Sequence, residues 1–123
     1  DPAAWLLRVR ALQDAAGGLQ AVAPLPQSFD PTTPTTGFHD VRLVAAARLA
    51  LETVPSIQVD WRRYGPKLAQ VALTVGADDL DLISAVDDVT LGPRRTALEE
   101  VRRNIAAAAL DPLERTGRFA TAG

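Results

Sequence analysis

Apolar positions in this chain change period several times, and each change marks an element. Leu6, Val9, Leu12 and Ala16, with Trp5 alongside, recur at helical spacing. Asp1 as cap and Pro2 at the first helical position predict the start, and Gly17-Gly18 predicts the stop near residue 16. Leu19 to Leu25 is a nearly continuous apolar run, interrupted by Gln20 and closed by Pro24 and Pro26. It predicts a strand buried on both faces, the parallel-sheet pattern. Residues 26–37 carry three prolines and four threonines and predict a long loop between strand and helix. Thr36 or Asp40 then caps a second helix running to about Thr53. Val41, Val44, Ala45, Ala47, Leu51 and Val54 give it a broad apolar face, and Pro55 ends it.

The period switches to two at Ile57, Val59 and Trp61, which alternate with Gln58 and Asp60 and predict a strand. Arg62-Arg63-Tyr64 reads as a short loop. Pro66 opens a third helix with Leu68, Val71, Ala72 and Val75 on one face, and Gly76 closes it in the left-handed region. A brief strand follows over Asp79–Ile83, then an irregular polar stretch at residues 84–95. Thr96-Ala97-Leu98-Glu99 is a capping box. It starts a last helix with Leu98, Val101, Ile105 and Ala108 on one side, which Asp111-Pro112 breaks.

The order is therefore helix, strand, helix, strand, helix, strand, helix. Strands joined by single helices run parallel. The expected class is α/β, a partial (β/α) barrel over residues 1–110 with a tail at 111–123. An open three-layer domain is the alternative. The first helix has no strand before it, and three strands leave two open sheet edges. A missing N-terminal half of the barrel would cover both, and a homodimer paired through the edges is another solution.

Composition narrows the classes. The chain has 123 residues, nearly half apolar, with a net charge of −2. That balance gives no pull toward nucleic acid or an anionic membrane. There is no cysteine and one histidine, His39, so a Cys-ligated metal within this stretch is excluded. No apolar run reaches the roughly 18–20 residues of a membrane span. The absence of a leader and of cysteine fits a cytoplasmic origin, and an opening at Asp1 fits a fragment or a processed product.

In βα barrels the active site lies at the carboxyl ends of the strands. That rule selects Gln20, Thr36, Asp60, Lys67, Asp79 and Asp81 as candidate pocket residues, with a small-molecule substrate as the expected partner. Asp78, Asp79 and Asp81 suit a general base, a hydroxyl acceptor or a hard-cation site, or an ordinary Asp-rich turn, with Asp78 the most structural of the three. Lys67 lies in the first turn of a helix, where the dipole disfavours a cation. It serves either a carboxylate or phosphate, or only the solvent. Trp61 is core or a stacking surface, and His39 a surface or capping residue. The basic pairs Arg62-Arg63, Arg94-Arg95 and Arg102-Arg103 lack interleaved aromatics and read as solvated faces. No residue is assigned as catalytic or as a metal ligand.

Several ordered segments carry a family resemblance: residues 7–21 (with Ala-Leu-Gln-Asp and Gly-Gly-Leu-Gln), Pro24-Leu25, Thr35-Thr36-Gly37, Ala47-Arg48-Leu49, Gly65-Pro66-Lys67-Leu68-Ala69-Gln70-Val71-Ala72-Leu73, and Gly76-Ala77-Asp78-Asp79-Leu80-Asp81. Together they resemble the C-terminal part of the radical S-adenosylmethionine enzymes that make aminofutalosine, cyclise dehypoxanthine futalosine or build deazaflavin. The resemblance implies a barrel enzyme using S-adenosylmethionine and a [4Fe–4S] cluster held by an N-terminal CxxxCxxC motif, which lies outside these residues. For the aminofutalosine branch it implies addition of a 5′-deoxyadenosyl radical to an enol-ether benzoate in menaquinone biosynthesis. A cluster-free binding or scaffold module is the reading of a different class. After Asp81 the family often continues Gly-Thr; here stand Leu82 and Ile83.

Overall fold

A computed structural model of the chain describes residues 2–25, 37–81, 83 and 97–119. The expected caps at Asp1, Thr36 and Thr96, the Thr/Pro loop up to residue 36 and the stretch at 84–95 lie outside them. Seven elements follow in the expected alternation: α1 (Pro2–Ala16), β1 (Ala21–Val22), α2 (Gly37–Ala50), β2 (Ser56–Asp60), α3 (Trp61–Thr74), β3 (Asp79–Asp81) and α4 (Ala97–Ala107). The chain divides into two compact units, residues 1–83 and 84–123.

In the first unit three parallel strands lie in the order β1-β2-β3. Ala21 and Val22 pair with Ser56 and Ile57; Gln58, Val59 and Asp60 pair with Asp79, Leu80 and Asp81. Helices α2 and α3 touch each other and both pack on β2, while α1 packs on α2. Two helices that share a strand and a mutual contact lie on one face of the sheet. Sequential strands with their helices on one face form a barrel wall; a doubly wound sheet would reverse its strand order and place helices on both faces. The partial barrel is therefore the architecture, and the three-layer alternative is set aside.

The core lies between that sheet and its helices. Ile57 and Val59 of β2 are fully buried, with Val44 and Ala47 of α2, Leu51 and Val54 just after it, and Ala69 and Ala72 of α3. The alanines let α3 approach the strands closely. The buried face of α3 is consequently Ala69, Ala72 and Leu73, turned from the expected one: Val71 is exposed and Leu68 half-buried.

Three strand boundaries differ from expectation. β1 has two paired residues, and Leu25 is exposed. As an edge strand it has β2 on one side only, and Pro24 has no N–H to extend the ladder. β2 ends at Asp60, because Trp61 already belongs to a helical turn. β3 stops at Asp81, so Ile83 lies beyond it. Helix α1 buries only Leu6; Leu12 stays exposed, since α2 is the neighbour it packs on. Its end is tied down by Gln13, whose amide donates to the Thr53 carbonyl and whose carbonyl oxygen accepts from the Leu19 N–H. Helix α2 ends at Ala50, three residues early, in a turn closed by Val54 N–H donating to the Leu51 carbonyl.

The second unit contains α4. Val101 is buried, with Leu98, Ile105 and Ala108 half-buried, as the spacing predicts. Glu99 and Arg103 pair along its exposed side at 2.7 Å. Farther on, the Arg115 guanidinium stacks 4.1 Å from the centre of the Phe119 ring.

Candidate functional site

Side chains alternate across a sheet, and in-register neighbours share a face. Ile57, Val59 and Leu80 point one way, toward the helices. Gln58 and Asp60 of β2 then share the other face with Asp79 and Asp81 of β3. The Gln58 amide donates to Asp79 Oδ1 at 3.1 Å, which joins the two strands across this face. In a closed barrel this is the inner wall. It carries three carboxylates and an amide where a packed interior would carry Val, Ile and Leu.

Asp60 stands at the carboxyl end of β2 and is nearly buried. Its Oδ1 accepts from the N–H groups of Arg62 and Arg63 at 3.0 and 3.1 Å, capping the turn Trp61–Tyr64. Arg63 Nε lies 3.4 Å from its other oxygen. The residues expected as a loop thus form a capped helical turn. Gly65, at φ 77° and ψ 164°, separates that turn from the straight helix, which Pro66 opens. A residue before proline favours extended ψ, and the positive φ requires glycine.

Tyr64, on the same turn, reaches back to β1. Its hydroxyl donates to the Pro24 carbonyl at 2.8 Å in a buried contact. Burial pushes the phenol well above its ordinary pKa, and the Asp40 and Asp60 carboxylates push it further. Asp40, in the first turn of α2, is itself almost fully buried. Gly37 at the start of that helix abuts Leu68 of α3; a Cβ there would sit 3.1 Å from Leu68 Cδ1. Asp40, Asp60, Tyr64 and the Pro24 carbonyl therefore form one buried polar cluster where the chain leaves β1 and β2. Sequence reading missed Tyr64 and took Asp40 only for a cap. A tyrosine beside an Arg pair carries no local signal of burial.

At the opposite end of the strands lies a second network. Arg48 Nε donates to the Gly76 carbonyl at 2.7 Å, and its Nη2 lies 3.1 Å from Asp78 Oδ1. The same carboxylate oxygen accepts from Ser56 Oγ and from the Ile57 N–H. Asp78 thereby fastens the turn before β3 to the start of β2, a structural task at the rim remote from barrel active sites.

The expected pocket residues separate accordingly. Asp60, Asp79 and Asp81 share the inner face, with Asp60 and Asp81 directly paired at its carboxyl end. Lys67 is exposed in the turn after Pro66. Gln20 is not with them: it is exposed and precedes β1, its carbonyl accepting from the Ser56 N–H. Thr36 lies outside the described residues. Trp61 is half-buried and His39 exposed. Among the described residues no group of His, Cys, Asp and Glu is arranged to hold a metal ion. No helix among them is long and apolar enough to cross a membrane.

A one-sided parallel βα wall with acids on its inner face and a capped turn at its carboxyl edge defines the barrel class of protein. Comparison with known proteins gives the particular family. The profile of the CofH/MqnC C-terminal region matches residues 28–122, and the chain belongs to that family. It is 31% identical to aminodeoxyfutalosine synthase of Streptomyces coelicolor over 93% of the chain and 35% of that protein. The Thermus thermophilus aminodeoxyfutalosine synthase is 33% identical over 91% of the chain and 34% of its own length. Cyclic dehypoxanthine futalosine synthase of Streptomyces coelicolor is 34% identical over 68% of the chain and 22% of that protein. The chain spans about a third of the length of the aminodeoxyfutalosine synthases it matches. The family resemblance read from the sequence is borne out.

Proposed function

We propose that these residues form the substrate-side wall of a radical S-adenosylmethionine enzyme of the aminodeoxyfutalosine synthase type. The whole protein would break the C5′–S bond of S-adenosylmethionine, releasing methionine, and join the 5′-deoxyadenosyl group to an enol-ether benzoate with rearrangement and loss of the enol carboxylate, on the route to menaquinone. The observation that carries this reading is coverage: similarity to the aminodeoxyfutalosine synthases extends over more than nine-tenths of the chain, against about two-thirds for the cyclase. Support comes also from the inner-face acids at the barrel's working edge.

The roles follow from chemistry. Asp81, half-buried at the end of β3, suits a hydrogen bond from a ribose hydroxyl, and Asp79 lies one step deeper on the same face. Exposed Lys67 suits a benzoate or enol carboxylate. Asp60 is occupied as a cap and holds the turn that leads to Lys67. A [4Fe–4S] cluster is bound by cysteine thiolates in iron–sulfur proteins. This chain has none, so its residues do not fit the cluster and no step is assigned to them through it. The partner implied is the remainder of the barrel, which would also cover the edges at β1 and β3.

The test is anaerobic reconstitution of the complete protein with iron and sulfide, followed by incubation with a one-electron reductant, S-adenosylmethionine and the enol-ether benzoate. The expected outcome is a product containing both the deoxyadenosyl and benzoate groups. Turnover of dehypoxanthine futalosine instead would assign the chain to the cyclase. A protein that takes up no cluster and cleaves no S-adenosylmethionine would leave a binding module.

A further inference from the structure

The Tyr64–Pro24 contact joins a segment just past β1 to one just past β2. Pro24 lies just past β1, at the start of the connection to α2. Tyr64 ends the helical turn just past β2. Both stand at the carboxyl edge, and the hydroxyl-to-carbonyl bond of 2.8 Å bridges them in a buried setting. The turn carrying Tyr64 is fixed at its other end by the Asp60 cap and is cut from the straight helix by Gly65. A single turn held by its own cap has little independent stability, because helix nucleation is costly. The cross-strand bond gives it a second tie, beyond its own cap.

We propose that Tyr64 is a positioning residue: its hydroxyl latches residues 23–25, just past β1, to the turn after β2, and so sets the spacing of these two segments at the edge proposed to receive the substrate. The inference rests on the function proposed above. The latch is permanent rather than switchable. Burial of Tyr64 opposes formation of a phenolate, and the Asp40 carboxylate of α2 and the Asp60 carboxylate of β2 add to it, so the hydroxyl stays a donor. A backbone carbonyl is its acceptor, so the bond survives any side-chain change at residue 24 that keeps the backbone in place. The turn also leads through Gly65-Pro66 to Lys67, so loosening the latch frees the cation proposed to meet a substrate carboxylate.

The test is Tyr64→Phe in the complete enzyme, with two readouts. Steady-state kinetics should show KM for the enol-ether benzoate raised about fivefold, the equivalent of one net hydrogen bond, with kcat within about twofold. Amide hydrogen exchange should speed at Arg62 and Arg63, whose N–H groups are bonded within the latched turn, while α4 keeps its protection. Faster exchange with unchanged KM would overturn the positioning role and leave a structural bond. Unchanged exchange would show that there is no latch. If the unaltered enzyme forms no product from the benzoate, the functional reading falls, while the exchange measurement still decides whether the latch exists.

Discussion

Asp78 and Tyr64 are both held by hydrogen bonds, yet they answer to different conditions. Asp78 accepts from Ser56 Oγ and the Ile57 N–H and pairs with Arg48. The ion pair is partly solvated and worth little by itself. The N–H and hydroxyl left behind are the larger loss. Asp78→Ala is expected to cost about 1–3 kcal/mol in urea unfolding, and Asp78→Asn, which keeps a carbonyl acceptor, less. Gly76 nearby has φ 136°, and a Cβ there would lie 2.7 Å from Arg48 Cβ. Gly76→Ala should therefore destabilise by more than ~1 kcal/mol, and trimming Arg48 to Ala should not rescue it, because the clash is with the atom that remains. Tyr64 holds its proton more tightly folded than unfolded, where its pKa is near the ordinary 10.0. Its contribution is complete below that value and is lost as pH rises from there toward the folded value. Thermal melts on the alkaline side of pH 10 should show stability falling in the wild type, and Tyr64→Phe should lose part of that slope. An identical slope in both would refute the assignment.

At the scale of elements, the turn Trp61–Tyr64 is the part most dependent on one residue. Asp60→Ala removes the cap from two N–H groups and is expected to cost about 1 kcal/mol, with Asp60→Asn costing less; equilibrium unfolding of the pair checks this. All seven elements were legible in the sequence because each has its own period or punctuation, such as Gly17-Gly18 after α1 and Pro55 before β2. What was not legible is relational. Nothing local in Leu12 or Val71 tells that its side chain is exposed. Nothing in Arg62-Arg63-Tyr64 signals a capped turn, because the capping acid is the last residue of a strand. The inner-face acids Asp79 and Asp81 were readable from strand-end logic. Gln20 stands apart from them because β1 begins at Ala21, which leaves Gln20 before the strand rather than within it.

The first unit, residues 1–83, is one wall of a barrel with a structural rim and a rim proposed to receive substrate. Arg48, Gly76 and Asp78 fasten the first; Asp60, Tyr64 and Asp81 shape the second. Sequential strands covered by helices on one face fix that polarity, and membership in the CofH/MqnC C-terminal region family agrees with the barrel reading. The central claim is that the two rims do different work. It is tested most directly by comparing Asp81→Asn with Asp78→Asn in the complete enzyme, measuring KM for S-adenosylmethionine and for the benzoate beside the melting temperature. Loss of a charged hydrogen bond at Asp81 should raise one of the two KM values about tenfold or more. Asp78→Asn should lower the melting temperature and leave both KM values alone. The reverse assignment, or an Asp81 variant with unaltered kinetics, would contradict the account.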